Sequence, residues 1–224
     1  KTNVLGTRNV LAAAEAAGVE RFVNISTDKA AEPVSVLGRT KRIGEQLTAA
    51  VAERTGRPYV SVRFGNVIGS RGSVMETFQF QIENGGPVTV THAEVTRFFM
   101  AVREAVRLTL QASTIGSPGE VLVLDMGAPV RILDVARQLV EQSGKQIEIT
   151  FTGLRPGEKL HEVLTAPGEV ASRPHHPLID HVQVPATWPY LPDEYDVSVM
   201  HKLVSGPNTG YASQEYVADE EARK

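Results

Sequence analysis

Arg21-Phe22-Val23-Asn24-Ile25-Ser26-Thr27-Asp28-Lys29, followed by Ser35-Val36-Leu37-Gly38-Arg39-Thr40-Lys41, is the stretch from which the fold can be read. Residues 21–25 form an apolar, β-type run and read as a buried strand. The polar cluster Ser26-Thr27-Asp28-Lys29 sits where that strand ends. After a loop holding Pro33, a long helix begins near Ser35 and runs to about Arg54, where Gly56 and Pro58 stop it. Leu37 and Lys41 are four apart and share one face of that helix. Residues 59–64, Tyr-Val-Ser-Val-Arg-Phe, alternate and read as the next strand. Strand, helix, strand with a helix-length connection is the signature of a parallel α/β sheet. Ligands of such sheets bind at the carboxyl ends of the strands. A hydroxyl, a carboxylate and two ammonium groups therefore converge on one cleft.

Upstream, residues 2–7 lead straight into an amphipathic pattern with Val4, Leu11 and Ala14 on one face, ended by Gly18. The first residue is not Met, and a helix beginning there gives the expectation that the chain is cut from something longer. Downstream, residues 65–73 read as a loop, and Ser73 caps a helix through about Glu83. A short strand follows at 88–90, a helix at 102–112, a strand at 120–124, a helix at 131–142 and a strand at 146–151. The loop 153–157 opens a short helix at 158–164. From Ala171 on, prolines at 174, 177, 185, 189 and 192 predict an irregular segment wrapping the surface, with Trp188 and Tyr190 anchoring it. Residues 206–224 are polar, end in the acidic run Asp219-Glu220-Glu221, and read as a loosely ordered tail.

The bulk properties exclude several classes. A chain of 224 residues, 42% hydrophobic and 22% charged, has room for a sizeable core in one or two domains. Its net charge of −3 implies no general nucleic-acid-binding surface. Without cysteine there are no disulfides, thiolate nucleophiles or cysteine-based zinc sites, and the histidines form no zinc-like spacing, so no metal site is expected. No apolar run reaches membrane-spanning length. A cytoplasmic setting is expected.

The cluster after the strand, with Thr40-Lys41 on the next helix, resembles the active site of the extended short-chain dehydrogenase/reductase superfamily. The wording Ser-Thr-Asp-Lys-Ala is similar to the nucleotide-sugar 4,6-dehydratases of bacterial polysaccharide biosynthesis, of the capsule and flagellin-glycan type. The resemblance continues in residues 63–73 (Arg-Phe-Gly-Asn-Val-Ile-Gly-Ser-Arg-Gly-Ser), in Thr96-Arg97-Phe98 and in residues 154–160 (Leu-Arg-Pro-Gly-Glu-Lys-Leu), and covers residues 2–166. It implies an α/β fold: the C-terminal part of a Rossmann-like fold with a small substrate-binding lobe interleaved in residues 1–166. Residues 167–224 form a separate proline-rich surface segment and tail. The first Gly-rich βα units of that fold are absent, since no Gly-x-Gly-x-x-Gly occurs and Gly65, Gly69 and Gly72 are spaced for turns. The resemblance also implies NADP or NAD as cofactor, a UDP-sugar as substrate, an upstream membrane region in the parent that would hold it at the cytoplasmic face, and a homo-oligomer. The isolated 224 residues are expected to be inactive.

Removing water across C5–C6 of a hexose needs an acidic C5–H, which oxidation of C4 to a ketone supplies. A nicotinamide takes the C4 hydride and returns it at C6. The protein adds a base at C5 and an acid at O6. The resemblance implies Asp28 as that acid and Lys29 as the base, with Thr27 and Lys41 completing the catalytic group. It implies Ser26, Lys41 and Asn66 near the cofactor, and Asn66, Arg71, Arg97, Arg155 and Glu158 around the sugar nucleotide. Leu37 departs from the pattern, because it stands where the superfamily has tyrosine and has no atom to take a proton. Taken alone, Asp28-Lys29 also reads as a solvated strand end and each arginine as a surface ion pair. Two alternatives therefore stand beside the dehydratase: a sugar-nucleotide 4-epimerase, and a non-catalytic binding or assembly module.

Overall fold

The structure is a computed structural model and describes residues 1–70, 72–187, Ser198 and Lys202. A π-helical turn, Thr2–Gly6, runs into α1 (Thr7–Ala16). Then come β1 (Phe22–Ile25), a 3-10 turn (Asp28–Ala30), α2 (Val36–Thr55), β2 (Tyr59–Arg63) and β3 (Asn66–Ile68). The chain continues through α3 (Val74–Glu83), β4 (Val88–Val90), β5 (Thr96–Arg97), β6 (Phe99–Ala101), α4 (Val102–Ile115) and β7 (Glu120–Leu124). It ends with β8 (Val130–Arg131), α5 (Ile132–Ser143), β9 (Ile149–Phe151) and β10 (Ile179–Gln183).

The main sheet has the order β1-β2-β7-β10, with β1, β2 and β7 parallel and β10 antiparallel to β7. The period of β2 distributes its side chains between two layers. Tyr59 packs into a cluster with Leu11 of α1 and Leu47 and Val51 of α2. Val60 and Val62 face the opposite layer, with Leu108 of α4 and Leu122 of β7. A third cluster, Phe78, Ile82, Val88, Val90, Ile132 and Ala136, joins α3, β4 and α5 beside the sheet.

Helix α2 starts and stops for local reasons. The Ser35 hydroxyl accepts the Gly38 N–H at 3.1 Å, satisfying one of the open donors of the first turn. Gly56 ends it with φ +67°, a left-handed conformation that glycine adopts without a Cβ clash.

The same phase that sends Tyr59 toward α2 sends Arg63 there too, and Arg63 is wholly buried. Its Nε and Nη2 donate to the Glu45 carboxylate of α2 at 3.1 and 2.8 Å. Its Nη1 donates to Glu169 at 2.8 Å and to the Leu164 carbonyl at 2.9 Å. Arg42 adds a second guanidinium, bonded to Glu45 at 3.2 Å and to Glu169. Burial alone would lower the proton affinity of Arg63, but Glu45 and Glu169 more than offset it and raise it. Burial opposes ionisation of Glu169 too, yet Arg63, the Ala166 N–H and Arg42 bring its pKa below the usual carboxylate value.

Three sequence expectations are corrected. Residues 66–68 are not loop but the strand β3, paired in parallel with β6. Residues 158–164 form no helix, because their carbonyl groups serve other elements: Leu160 O takes the Thr96 N–H and Leu164 O takes Arg63. The segment after Ala171 is not wholly irregular, since β10 completes the main sheet with Ile179 and Val182 buried. Arg173 holds the approach to it, bonding Asp180 and the Pro177 carbonyl. Arg71, Trp188, Tyr190 and the acidic end lie outside the described residues.

Removing one partner of a buried charge leaves the other uncompensated. Glu45→Ala is therefore expected to lower unfolding stability by about 3–5 kcal/mol in urea denaturation. Glu15→Ala, which removes the Arg54–Glu15 pair at the surface, should shift the midpoint far less. Equal shifts would contradict the role given to the Arg63 cluster.

Candidate active site

The ladder between β1 and β2 continues past both strands. The Ser26 N–H bonds the Val62 carbonyl at 2.8 Å, and the Asp28 N–H bonds the Phe64 carbonyl at 3.0 Å. The backbone of residues 26–28 is thus fixed at the carboxyl end of the sheet. Asp28 is wholly buried there. Its Oδ1 accepts from the Thr27 hydroxyl at 2.8 Å and from Lys29 Nζ at 2.9 Å. Its Oδ2 is closed to solvent and has no hydrogen-bond partner among the described residues. Lys29 keeps a side-chain exposure of 25%, so its ammonium can reach the cleft.

Two glycines allow this packing. A Cβ on Gly38 would lie 2.3 Å from the Lys29 carbonyl oxygen, so only glycine lets the first turn of α2 approach the 3-10 turn. A Cβ on Gly65 would lie 2.8 Å from Phe98 Cβ and 3.1 Å from Asp28 Oδ2. Gly65 thus serves a close approach to the carboxylate rather than the turn read from sequence, whereas Gly69 and Gly72 do take positive φ.

Lys41 donates to the Ile25 carbonyl at 2.9 Å, which brings it to the same strand end. Burial lowers its pKa, against the opposing field of Glu45. Leu37, one turn earlier on α2, is half-exposed at 49%. Thr27, Asp28, Lys29 and Lys41 are therefore gathered at the end of β1. Ser26 is not part of that group: its buried hydroxyl donates to Glu45 at 2.5 Å and belongs to the Arg63 cluster.

The expected sugar-nucleotide residues divide. Asn66 stands on β3 and lines an open cavity of about 410 Å³ with Ser70, Ser73 and Met75. Arg97 is buried and donates to the Thr96 and Leu160 carbonyls and to Glu158 at 3.0 Å. Glu158 also accepts from the Thr91 hydroxyl and the Arg155 N–H. Arg97 and Glu158 thus hold one another, while the Arg155 side chain is exposed and makes no bond among the described residues.

The segment carrying these residues folds back over the strand end. Lys159 pairs with Glu32 at 3.2 Å, and a Cβ on Gly157 would touch the Ser35 backbone at 3.4 Å. It also brings Glu162 within the electrostatic field of Lys29 and Asp28, and burial raises its pKa. Sequence reading passed over Glu162, Glu45 and Glu169. For Glu45 a signal exists: it shares a face of α2 with Ala49 and Ala52, small buried residues four and seven positions on.

The parallel sheet, the helix-borne lysine and the carboxylate–ammonium pair at the strand end define a Rossmann-like protein of the extended short-chain dehydrogenase/reductase type. The chain belongs to the family described as polysaccharide biosynthesis protein, whose model matches residues 1–184. It is 53% identical over 174 residues to the capsular polysaccharide biosynthesis protein CapD of Staphylococcus aureus, covering 76% of this chain and 29% of that protein. It is 47% identical over 196 residues to the probable polysaccharide biosynthesis protein EpsC of Bacillus subtilis, covering 85% and 33%. A UDP-glucose 4-epimerase of Rickettsia rickettsii is 39% identical over 174 residues, covering 76% and 50%. The chain thus spans about a third of the length of the first two relatives. Among solved structures, Pen from Bacillus thuringiensis matches with a TM-score of 0.76 and 35% identity, over 82% of this chain and 59% of that one. MoeE5 in complex with UDP-glucose and NAD matches with a TM-score of 0.62 and 26% identity, over 72% and 60%.

Gly65→Ala is expected to destabilise the fold by about 1–3 kcal/mol, because the added Cβ would lie 2.8 Å from Phe98 Cβ and force a shift. Gly6→Ala, with nothing within 4 Å of its Cβ and a helical backbone, should stabilise by about 0.4–1 kcal/mol. Thermal melts of the two variants check this. A neutral Gly65→Ala would show that Asp28 is not tightly enclosed.

Proposed function

We propose that the chain is the catalytic part of a nucleotide-sugar 4,6-dehydratase that acts on a UDP-sugar, UDP-N-acetylglucosamine or a close relative, for polysaccharide biosynthesis. The observation that carries this reading is the Asp28–Lys29 pair, bonded at 2.9 Å at the carboxyl end of β1, with Asp28 Oδ2 buried and without a hydrogen-bond partner among the described residues. A simple 4-epimerase needs neither an acid at O6 nor a base at C5. The epimerase reading is favoured by the Rickettsia relative, and the two differ in whether C5–H exchanges with solvent.

NAD(P), when bound, supplies the hydride acceptor at sugar C4 and the hydride donor at C6. Lys41 fits the nicotinamide-ribose end of such a cofactor, since Nζ uses one donor on the Ile25 carbonyl and has others to offer. The work of the pair is proton transfer. As an ion pair, Asp28 and Lys29 are the wrong forms, an anion and an ammonium. One proton moved along their hydrogen bond makes Lys29 an amine and Asp28 an acid, with no change in total charge. Lys29 then removes the C5 proton while Asp28 protonates the departing O6. Thr27, bonded to Asp28, and Asn66 in the cavity border the sugar, and Arg155 is the fork for the diphosphate. Held by its relatives' length, the whole enzyme would supply the remaining cofactor contacts, an upstream membrane region and the homo-oligomer.

In the intact protein, Lys29→Ala should slow C5–H exchange into deuterated solvent by about 10²–10⁴-fold and spare UDP-sugar binding. The exchange is read by mass spectrometry of the sugar. Exchange at the parent rate would remove Lys29 from the role of base.

A further inference from the structure

The turn that carries Arg155 is closed on one residue. The Arg155 carbonyl accepts the Glu158 N–H at 2.9 Å, and the Arg155 N–H donates to Glu158 Oε2 at 3.2 Å. Glu158 therefore holds both backbone polar groups of Arg155 and leaves its side chain exposed. Gly157, inside the turn, takes φ +77°, which a residue with a Cβ adopts only at a cost.

Glu158 is itself anchored. Its Oε1 accepts from the Thr91 hydroxyl and from Arg97 Nη2, each at 3.0 Å. Arg97 Nη1 donates to the Thr96 carbonyl at 2.7 Å and to the Leu160 carbonyl at 3.2 Å. The Thr96 N–H adds a bond of 3.0 Å to the same Leu160 carbonyl. On the other side, Gly157 lies against the Ser35 backbone, and Lys159 pairs with Glu32 at 3.2 Å. The turn is thus fixed between the β4–β5 region and the start of α2.

The resemblance places Arg97 and Glu158 beside the sugar nucleotide, but the bonds give them other work. Their side chains are 10% and 20% exposed, and each is the other's counter-ion. Neither needs a ligand to complete it. Arg155 is the opposite case: charged, exposed, and with no side-chain bond among the described residues. Ordering a long side chain on binding costs about 2–10-fold in affinity. A backbone fixed beforehand removes part of that cost, because the direction in which the side chain leaves the chain is already set.

We infer that Glu158 is a positioning residue: it holds the turn so that the Arg155 guanidinium is presented to the diphosphate of the sugar nucleotide, and it touches no ligand itself. Arg97 and Thr91 are the anchors through which it acts. This rests on the reading of Arg155 as the diphosphate fork. It does not depend on which bond of the sugar is later broken.

The test is a double-mutant cycle on the intact protein, read by calorimetric titration with UDP. Arg155→Ala should weaken UDP binding by about 10–100-fold, as expected when hydrogen bonds to a charged group are lost. Glu158→Gln removes the charge that anchors the turn and should weaken it by about 2–10-fold. The double variant should bind no worse than Arg155→Ala alone, because the loosened turn then has no guanidinium to misplace. Uridine, which has no phosphate, separates positioning from contact. Its affinity, read by NMR titration, should be the same in the parent and in Glu158→Gln. Weaker uridine binding in Glu158→Gln would make Glu158 a direct nucleoside contact and overturn the inference. Parent UDP affinity in Glu158→Gln, or a double variant whose loss is the product of the two single losses, would overturn it too. Parent UDP affinity in Arg155→Ala would instead overturn the diphosphate reading, and the positioning role with it. A parent protein that makes only a C4 epimer would overturn the dehydratase reading, while the cycle would still decide the role of Glu158. If circular dichroism shows that Glu158→Gln does not fold, Thr91→Val, which removes one anchoring hydroxyl, takes its place in the cycle and in the uridine titration, and the same outcomes decide.

Discussion

One guanidinium, that of Arg63, is wholly buried between a strand, a helix and a returning loop, and the working end of the molecule depends on it. An arginine cannot shed its charge, so it must be met by carboxylates or remain very costly. Glu45 meets it from α2 and Glu169 from the loop, and the Leu164 carbonyl takes another donor. These bonds close only in one arrangement: β2 in one phase, α2 in one rotation, and residues 164–169 folded back over both. The clamp therefore fixes where the segment carrying Arg155, Glu158 and Glu162 crosses the end of the sheet. It is weak evidence for stability as such, since an apolar trio could fill the same space. Its value is in register.

The same region shows how a fold can hold groups that would otherwise be unfavourable. Asp28 loses its hydration to lie under Gly65, and among the described residues the Thr27 hydroxyl and the Lys29 ammonium are its side-chain partners. Gly38 gives α2 the clearance to sit on the Lys29 carbonyl, which carries Leu37 and Lys41 to the strand end. Without side chains at 38 and 65, acid, base and helix-borne lysine come together within one strand end. Proteins commonly concentrate such strain and unsatisfied polarity at their working sites.

Much of this was legible in the sequence where local signals and tertiary structure agree. The strand ending at Ile25, the helix between Ser35 and Gly56 and the alternation from Tyr59 to Arg63 each have a local cause, and each appears within a residue or two. The gathering of Thr27, Asp28, Lys29 and Lys41 followed from those elements alone. The failures have one cause in common. Residues 158–164 have a helical look, but their carbonyls are taken by Thr96, Arg97 and Arg63, partners far away in sequence. Residues 66–68 pair with Phe99–Ala101, and Ile179–Gln183 pairs with β7; neither partner can be read locally. Ser26 shares the motif's wording, yet its hydroxyl points at Glu45, a direction set by the Arg63 clamp.

The central claim is that a buried aspartic acid–lysine couple performs an elimination rather than a simple inversion at C4. The direct measurement is NMR of the product formed by the intact protein from UDP-N-acetylglucosamine and NAD(P) in deuterated water. The account predicts a 4-keto-6-deoxy sugar carrying deuterium at C5. A C4 epimer that keeps its original C5 proton and its C6 hydroxyl would contradict it.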